Sequence, residues 1–319
     1  MQKLHLGAAQ CALDLGDGSE RAEYVNQDYI LHKLGRPHRA IGIMYTYYPH
    51  DKQWPQRISK ACKDMNITFQ WDYPYDDYFP FNADGQPWEQ MRDIRRHGQD
   101  VALTLTLDCS LSDDELREVA RMLRPYGRMT IRINHECSGT WFTHNKRFTY
   151  EQVGKFFAHF SDIIHQEAPN VRTVFCAGFA QADGKLEKED EFAVAYRAAD
   201  VWSADCYLAL HYGWPYDVAE VGGGQYKADS VGMYYDMFRR TYERASSQFG
   251  CKPLVTAEFN TDGDVTGPRH QGESVIRFAE AFRDHQADWF KAISLYQFRD
   301  RGRLGLEIED PNNPAVGIE

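Results

Sequence analysis

Hydrophobic positions recur along this chain with two periods, and the two alternate. Residues 41–45, 101–107, 129–133, 171–177, 201–207, 254–259 and 292–298 are short apolar or alternating runs rich in β-branched and aromatic residues, which read as strands. Residues 4–9 read as a short first strand, and residues 67–71 as a further one ending in Asp72-Tyr73-Pro74-Tyr75. Helical spacing lies between them. Residues 55–65 predict a helix, and Ser112-Asp113-Asp114-Glu115 is a capping box, in which Ser and Glu satisfy each other's free amides. Behind it Leu116, Val119, Met122 and Leu123 fall on one face. Thr149-Tyr150-Glu151-Gln152 opens a second capped helix whose stripe is Val153, Phe156, Phe157, Phe160, Ile163 and Ile164, closed by Pro169-Asn170. Residues 231–244 and 275–282 predict two more helices.

Strands alternating with helices, without a long linker or a short repeat, imply a parallel sheet covered by helices. A chain of 319 residues is long enough for one large α/β barrel or two ordinary domains. The expected architecture is a (β/α)8 TIM barrel forming a single catalytic domain over residues 1–319. Nine strand candidates compete for eight places, and residues 101–107 are taken as the surplus, because no clear helix separates them from Gly98. An open doubly wound sheet would want a glycine-rich phosphate loop after its first strand, which Gly7-Ala8-Ala9-Gln10 does not supply. The run Gly222-Gly223-Gly224 follows no strand directly and reads as a flexible loop.

Composition narrows the partners. Lys and Arg number 36 against 47 Asp and Glu, a net charge of −11, which disfavours nucleic acid and anionic membranes. Seven cysteines without a CxxC pair suggest neither a disulfide framework nor a zinc site, so most are expected to be small buried hydrophobes. The 7 Trp, 19 Tyr and 18 Phe are expected to be mostly core, with some rings left for stacking on sugar faces. No signal peptide is visible, since Met1-Gln2-Lys3 runs straight into a very short apolar stretch, and no apolar run has the length of a membrane span. The expectation is a cytoplasmic protein or part of a secreted parent. The tail Glu309-Asp310-Pro311-Asn312-Asn313-Pro314 reads as an extended exit.

Two strand ends carry the candidate chemistry. In residues 128–142, RMTIRINHECSGTWF, Met129, Ile131 and Ile133 alternate with Thr130, Arg132 and Asn134, and the strand runs into Glu136. If it stays regular, Arg132, Asn134 and Glu136 project to one side. A carboxylate there, followed by small turn residues and a Trp, makes a poor core and a good site, because strand ends carry the catalytic groups of α/β barrels. Residues 254–260, LVTAEFN, repeat the arrangement and deliver Glu258. Two carboxyl groups flanking a glycosidic bond are what glycoside hydrolysis needs: one protonated to donate to the leaving oxygen, one ionised to attack the anomeric carbon.

With these residues in view, the chain resembles the retaining glycoside hydrolases of clan A. Arg132-x-x-His135-Glu136-x-x-Gly139-x-Trp141-Phe142 is similar to their acid/base motif, and His before Glu is closest to family 26, the β-mannanase family. Ile94-x-x-x-Gly98-x-Asp100 resembles the run before that family's acid/base strand, residues 199–207 its sixth strand, and residues 252–259 its seventh. The resemblance implies Glu136 as acid/base and Glu258 as nucleophile. It implies Arg132 and Tyr207 beside the Glu258 carboxylate, His135 positioning the sugar or the nucleophile, and Trp141 walling the cleft. Glu136 is expected to sit in a less polar pocket that keeps it protonated. Two departures fall where substrate is read: Cys137-Ser138-Gly139 stands where the family has Asn-Gly, and Tyr296-Gln297-Phe298-Arg299-Asp300 replaces its expected Trp.

Other residues are less specific. Trp71 and Asp72 either line the cleft or serve as core and cap, and Phe142 and Gln297 fall within the substrate-reading segments. His5 reads as an interior histidine, Arg299 and Arg301 as loop salt-bridge partners, and Asp205 either orients His135 or Tyr207 or makes a structural hydrogen bond. A metal hydrolase would show HxH after the first strand or HExxH, and neither is present, so no metal or cofactor is expected. A non-catalytic carbohydrate-binding barrel would be expected to lose one of the two Glu. The expected partner is a polysaccharide or oligosaccharide substrate, β-mannan or another β-glycan including acidic exopolysaccharides, and the expected state is a monomer.

Overall fold

The computed structural model of the chain describes residues 11–14, 25–54, 86–138, 147–179, 191–208, 230–261, 268–296 and 298. Eight parallel strands close into a barrel in chain order: β1 (Cys11–Asp14), β2 (Ala40–Tyr47), β3 (Asp100–Leu107), β4 (Met129–Ile133), β5 (Val171–Phe179), β6 (Val201–Tyr207), β7 (Leu254–Asn260) and β8 (Phe290–Tyr296). The described helices are α1 (Gln27–Leu34), α2 (Gln86–Arg96), α3 (Asp113–Leu123), α4 (Tyr150–Glu167), α5 (Ala193–Ala198), α6 (Ser230–Phe249) and α7 (Pro268–Asp284). The expected (β/α)8 architecture is the observed one. None of these helices is long and apolar enough to cross a membrane.

The strand expectations need one correction. Residues 101–107, taken as surplus, form most of β3, which pairs with β2 over its whole length, Ala40↔Asp100 to Tyr47↔Leu107. The helix thought missing before it is α2, whose apolar side is Trp88, Met91 and Ile94, all buried. The first described strand is Cys11–Asp14, which closes the ring by pairing with both β2 and β8. The expected strands at 4–9 and 67–71 and the expected helix at 55–65 lie outside the described residues, as do the 222–224 glycines.

Strand parity divides the barrel into two chemistries. Outward residues such as Leu103, Ile131, Phe175, Trp202 and Phe259 are apolar, buried, and packed under the helices. Phe259 stacks on Phe278 of α7 at 4.2 Å between centroids, and Phe175 meets Phe157 of α4 edge-on at 5.0 Å. Most described aromatics therefore belong to the core, as expected. Inward positions are largely polar, with Thr104, Arg132, Ser203, Asp205 and Glu258 all buried. Both faces of each parallel strand are covered, so polar side chains in the interior must satisfy one another.

Helix starts follow local sequence closely. Ser112 and Glu115 form the expected capping box on α3, and Thr149 and Gln152 form the one on α4. Cys137, Cys176 and Cys206 are free and buried, while Cys109 is half-buried and Cys251 exposed. A tight backbone approach is fixed by Gly178 in β5 at φ 148°, where an added Cβ would lie 2.8 Å from Ser138 Oγ.

Surface caps and core rings should differ in weight. Ser112→Ala is expected to cost about 1 kcal/mol, and Phe278→Ala, which empties the α6–α7–β7 aromatic cluster, about 3–5 kcal/mol. Urea unfolding followed by circular dichroism measures both, and equal losses would contradict this division of the core.

Candidate active site

Two strands deliver the carboxylates by different means. Glu258 lies within β7, on its inward face. Glu136 lies three residues beyond the end of β4, because the strand does not stay regular: Asn134 and Glu136 adopt φ of 46° and 50°. The parity expectation therefore holds for Arg132 and fails for Asn134. Asn134 turns toward β3, where its Oδ1 accepts the Leu107 N–H at 2.7 Å and its Nδ2 donates to Cys109 Sγ at 3.3 Å. An Asn tolerates this left-handed conformation better than most residues, whereas a Glu there is uncommon and carries a local cost. The following turn is anchored to β5, with Cys137 N–H on the Cys176 carbonyl at 3.3 Å and Ser138 N–H on the Ala177 carbonyl at 2.8 Å.

Arg132 organises the interior. Its Nε donates to Thr104 Oγ1 at 2.9 Å, its Nη1 to both Asp205 oxygens at 3.3 and 3.2 Å, and its Nη2 to Glu258 Oε1 at 2.5 Å. Tyr207 donates its hydroxyl to Glu258 Oε2 at 3.0 Å, so both Glu258 oxygens accept a hydrogen bond. His135 Nε2 stands 3.8 Å from Glu258 Oε1. Arg132 and Tyr207 thus lie beside the Glu258 carboxylate.

For Asp205 the structure shows the second of the two expected alternatives, structural hydrogen bonding. Besides Arg132, Asp205 takes the Glu258 backbone N–H on Oδ1 at 3.1 Å and the Cys176 thiol on Oδ2 at 3.4 Å, and one of its oxygens lies within 4.8 Å of a Glu136 carboxyl oxygen. The β6–β7 register shifts between Ser203 and Cys206, and there side chains replace main-chain carbonyls: Ser203 Oγ accepts the Ala257 N–H at 3.1 Å, and Asp205 accepts the next one. Burial, then the nearby Glu258 charge, push the Asp205 carboxyl up to about 7, against the pull of Arg132. Burial likewise pushes the Cys137, Cys176 and Cys206 thiols up, which leaves them as neutral thiols.

One oxygen each from Glu136, Asp205 and Glu258 lies within 4.8 Å of the others. Among the described residues these three carboxyls are the grouping that matches a metal-ligand set, but the Arg132 guanidinium already bridges two of them and supplies the cation there. Among the described residues, the carboxyl groups of Asp205 and Glu258 lie near Glu136, and residues 139–146, which follow its turn, lie outside them. Trp71, Asp72, Trp141, Phe142 and Gln297 lie outside the described residues, as do His5, Arg299 and Arg301. Sequence reading gave no role to Thr104, Ser203 and Cys176; the polar inward parity of Ser203, Asp205 and Tyr207 on β6 was the available signal for the middle one.

No protein-family model and no curated protein matches this sequence. Among solved structures, the fold is similar to a GH26 β-mannanase from Bacteroides ovatus, at a TM-score of 0.52 and 11% identity over 97% of this chain and 85% of that one. It is also similar to a glucosidase from Croceicoccus marinus, at 0.59 and 10% over 98% and 65% of the two chains. A family 39 glycoside hydrolase from Bacteroides cellulosilyticus WH2 gives 0.53 and 9% over 93% and 59%. At these identities the likeness is one of fold.

Removing the guanidinium strands two buried carboxylates. Arg132→Met should lower stability by about 3–5 kcal/mol at neutral pH. The loss should shrink as pH falls, since the Asp205 carboxyl, raised to about 7 in the folded state, favours that state below the ordinary carboxylate range and loses that advantage as pH rises. Denaturant unfolding at pH 5 and pH 8 checks this, and an equal loss at both would contradict it.

Proposed function

We propose that this chain is a retaining glycoside hydrolase, a single catalytic barrel acting on a β-linked polysaccharide. The observation that carries the reading is the approach of Glu136 and Glu258, with oxygens within 4.8 Å of each other at the C-terminal mouth of a (β/α)8 barrel. Retaining enzymes hold their carboxyl groups about 5–5.5 Å apart, whereas inverting ones leave roughly 6.5–9.5 Å for a water. The fold-level likeness to three glycoside hydrolases supports the same class.

In this reading a Glu258 oxygen attacks the anomeric carbon while Glu136 gives its proton to the departing oxygen. The carbon–oxygen bond of the glycoside breaks and a glycosyl ester on Glu258 forms. Glu136, now a carboxylate, takes a proton from water, whose oxygen attacks the same carbon, and Glu258 leaves as a carboxylate. Arg132 and Tyr207 receive that returning charge through the hydrogen bonds already in place. β-Mannan is the first substrate, with endo cleavage, on the His135-Glu136 resemblance to family 26 and the fold likeness to a GH26 β-mannanase. Other β-glycans, acidic exopolysaccharides included, come second. Trp141, Phe142, Trp71, Asp72 and Gln297 are proposed to touch the sugar, and the working unit is proposed to be the monomer without a cofactor.

Glu258→Ala should abolish turnover of every substrate, because no ester can form. Glu136→Ala should retain far more activity on an aryl β-glycoside with a good leaving group than on a polysaccharide, and added azide should partly restore it by attacking the ester without a general base. Proton NMR of the first-formed product reads the stereochemistry, with retention expected. An inverted anomer would remove the mechanism, and the absence of reducing-end release across a panel of β-glycans would favour a carbohydrate-binding barrel instead.

A further inference from the structure

Asp205 has no exposed surface, and the double displacement described above gives it no task. Its carboxyl group is met from several sides. Arg132 donates to both oxygens, the Glu258 N–H to Oδ1 and the Cys176 thiol to Oδ2, and a Glu136 carboxyl oxygen lies within 4.8 Å of one of its own. Two carboxyl groups share a hydrogen bond only with a proton between them. The donors decide where that proton sits. Guanidinium, amide and thiol all converge on Asp205, which makes it the acceptor, and Glu136 is left as the group that holds the proton and donates it.

We propose that Asp205 is a positioning residue that keeps the proton on Glu136 by accepting its O–H until a leaving oxygen takes it. This rests on the reading of Glu136 as the proton donor in glycoside cleavage. Charge counting supports the arrangement. Before cleavage the cluster holds ionised Asp205, ionised Glu258 and neutral Glu136. When Glu136 gives up its proton, the electron pair of its O–H bond stays on the carboxylate, and Glu258 becomes a neutral ester in the same step. Two negative charges face Arg132 before and after, so the interior never has to accommodate a third. Among the described residues Arg132 from β4, Cys176 from β5 and Glu258 from β7 adjoin the pair, with His135 and Tyr207 beside Glu258, and all remain when Asp205 is changed.

Asp205→Asn keeps the side-chain shape and removes the acceptor charge. With side-chain 13C-labelled glutamate, and Glu136 assigned from the signal lost in Glu136→Gln, the Glu136 titration midpoint should fall by about one pH unit or more in Asp205→Asn. The basic limb of kcat/KM on an aryl β-glycoside with a poor leaving group should move down with it, while a dinitrophenyl glycoside should lose little rate. A Glu136 midpoint that stays put in a variant with the wild-type circular dichroism spectrum overturns the proposal, since a merely structural Asp205 lowers the rate at every pH and moves no midpoint. If Asp205→Asn does not fold, the wild-type titration decides, and a Glu136 fully ionised at pH 6 overturns the proposal. The NMR measurement needs no turnover, so a chain that hydrolyses no glycoside would refute the enzymatic reading while leaving the position of the proton measured.

Discussion

A guanidinium buried inside a closed barrel is the interaction on which the site depends. Arg132 is too expensive to bury unless its charge is met, and Asp205 and Glu258 meet it from across the barrel. The dependence runs both ways, because two buried carboxylates at this separation repel unless a cation lies between them. One side chain thereby ties β4 to β3 through Thr104, to β6 through Asp205 and to β7 through Glu258. That tie fixes where Glu258 stands, and the turn anchored on β5 fixes where Glu136 stands. The short distance between them is the product of the two constraints.

Among the described residues, irregular backbone gathers around this point. The β5–β6 and β6–β7 registers both shift beside Asp205, and the β4 strand ends in two positive-φ residues. Of the three non-glycine positive-φ residues among those described, two are Asn134 and Glu136. Each irregularity frees an amide or a carbonyl that a side chain then takes up: Asn134 for Leu107, Ser203 for Ala257, Asp205 for Glu258. Strain of this kind persists only where surrounding contacts overdetermine it, which the Arg132 network and the Ser138–Ala177 bond supply.

What was legible in the sequence was local. Capping boxes depend on residues three apart, and both form as read. The fold followed from alternating periods, and the two strand ends bearing Glu136 and Glu258 were visible as charge at the end of apolar runs. Longer-range features were not. Residues 101–107 read as surplus because α2 hides its apolar stripe, Trp88, Met91 and Ile94, among five charged residues of its eleven. The first described strand is four residues long and gives periodicity little to work on. The partners of Asp205 depend on which strands face each other across the barrel and on two register shifts, neither of which is written in any single segment. Regular parity placed Arg132 correctly and misplaced Asn134, because the strand stops where side-chain hydrogen bonds outcompete the ladder.

The central claim is that Glu258 becomes covalently bonded to the sugar. An activated 2-deoxy-2-fluoro β-glycoside slows both displacements through its electron-withdrawing fluorine, and its good leaving group lets the first proceed, so the ester accumulates. Intact-protein mass spectrometry followed by peptide mapping then locates the label. The account predicts one fluoroglycosyl group per chain, carried by Glu258. A label on another residue, or an intact mass unchanged under conditions in which the unfluorinated glycoside is turned over, would contradict it.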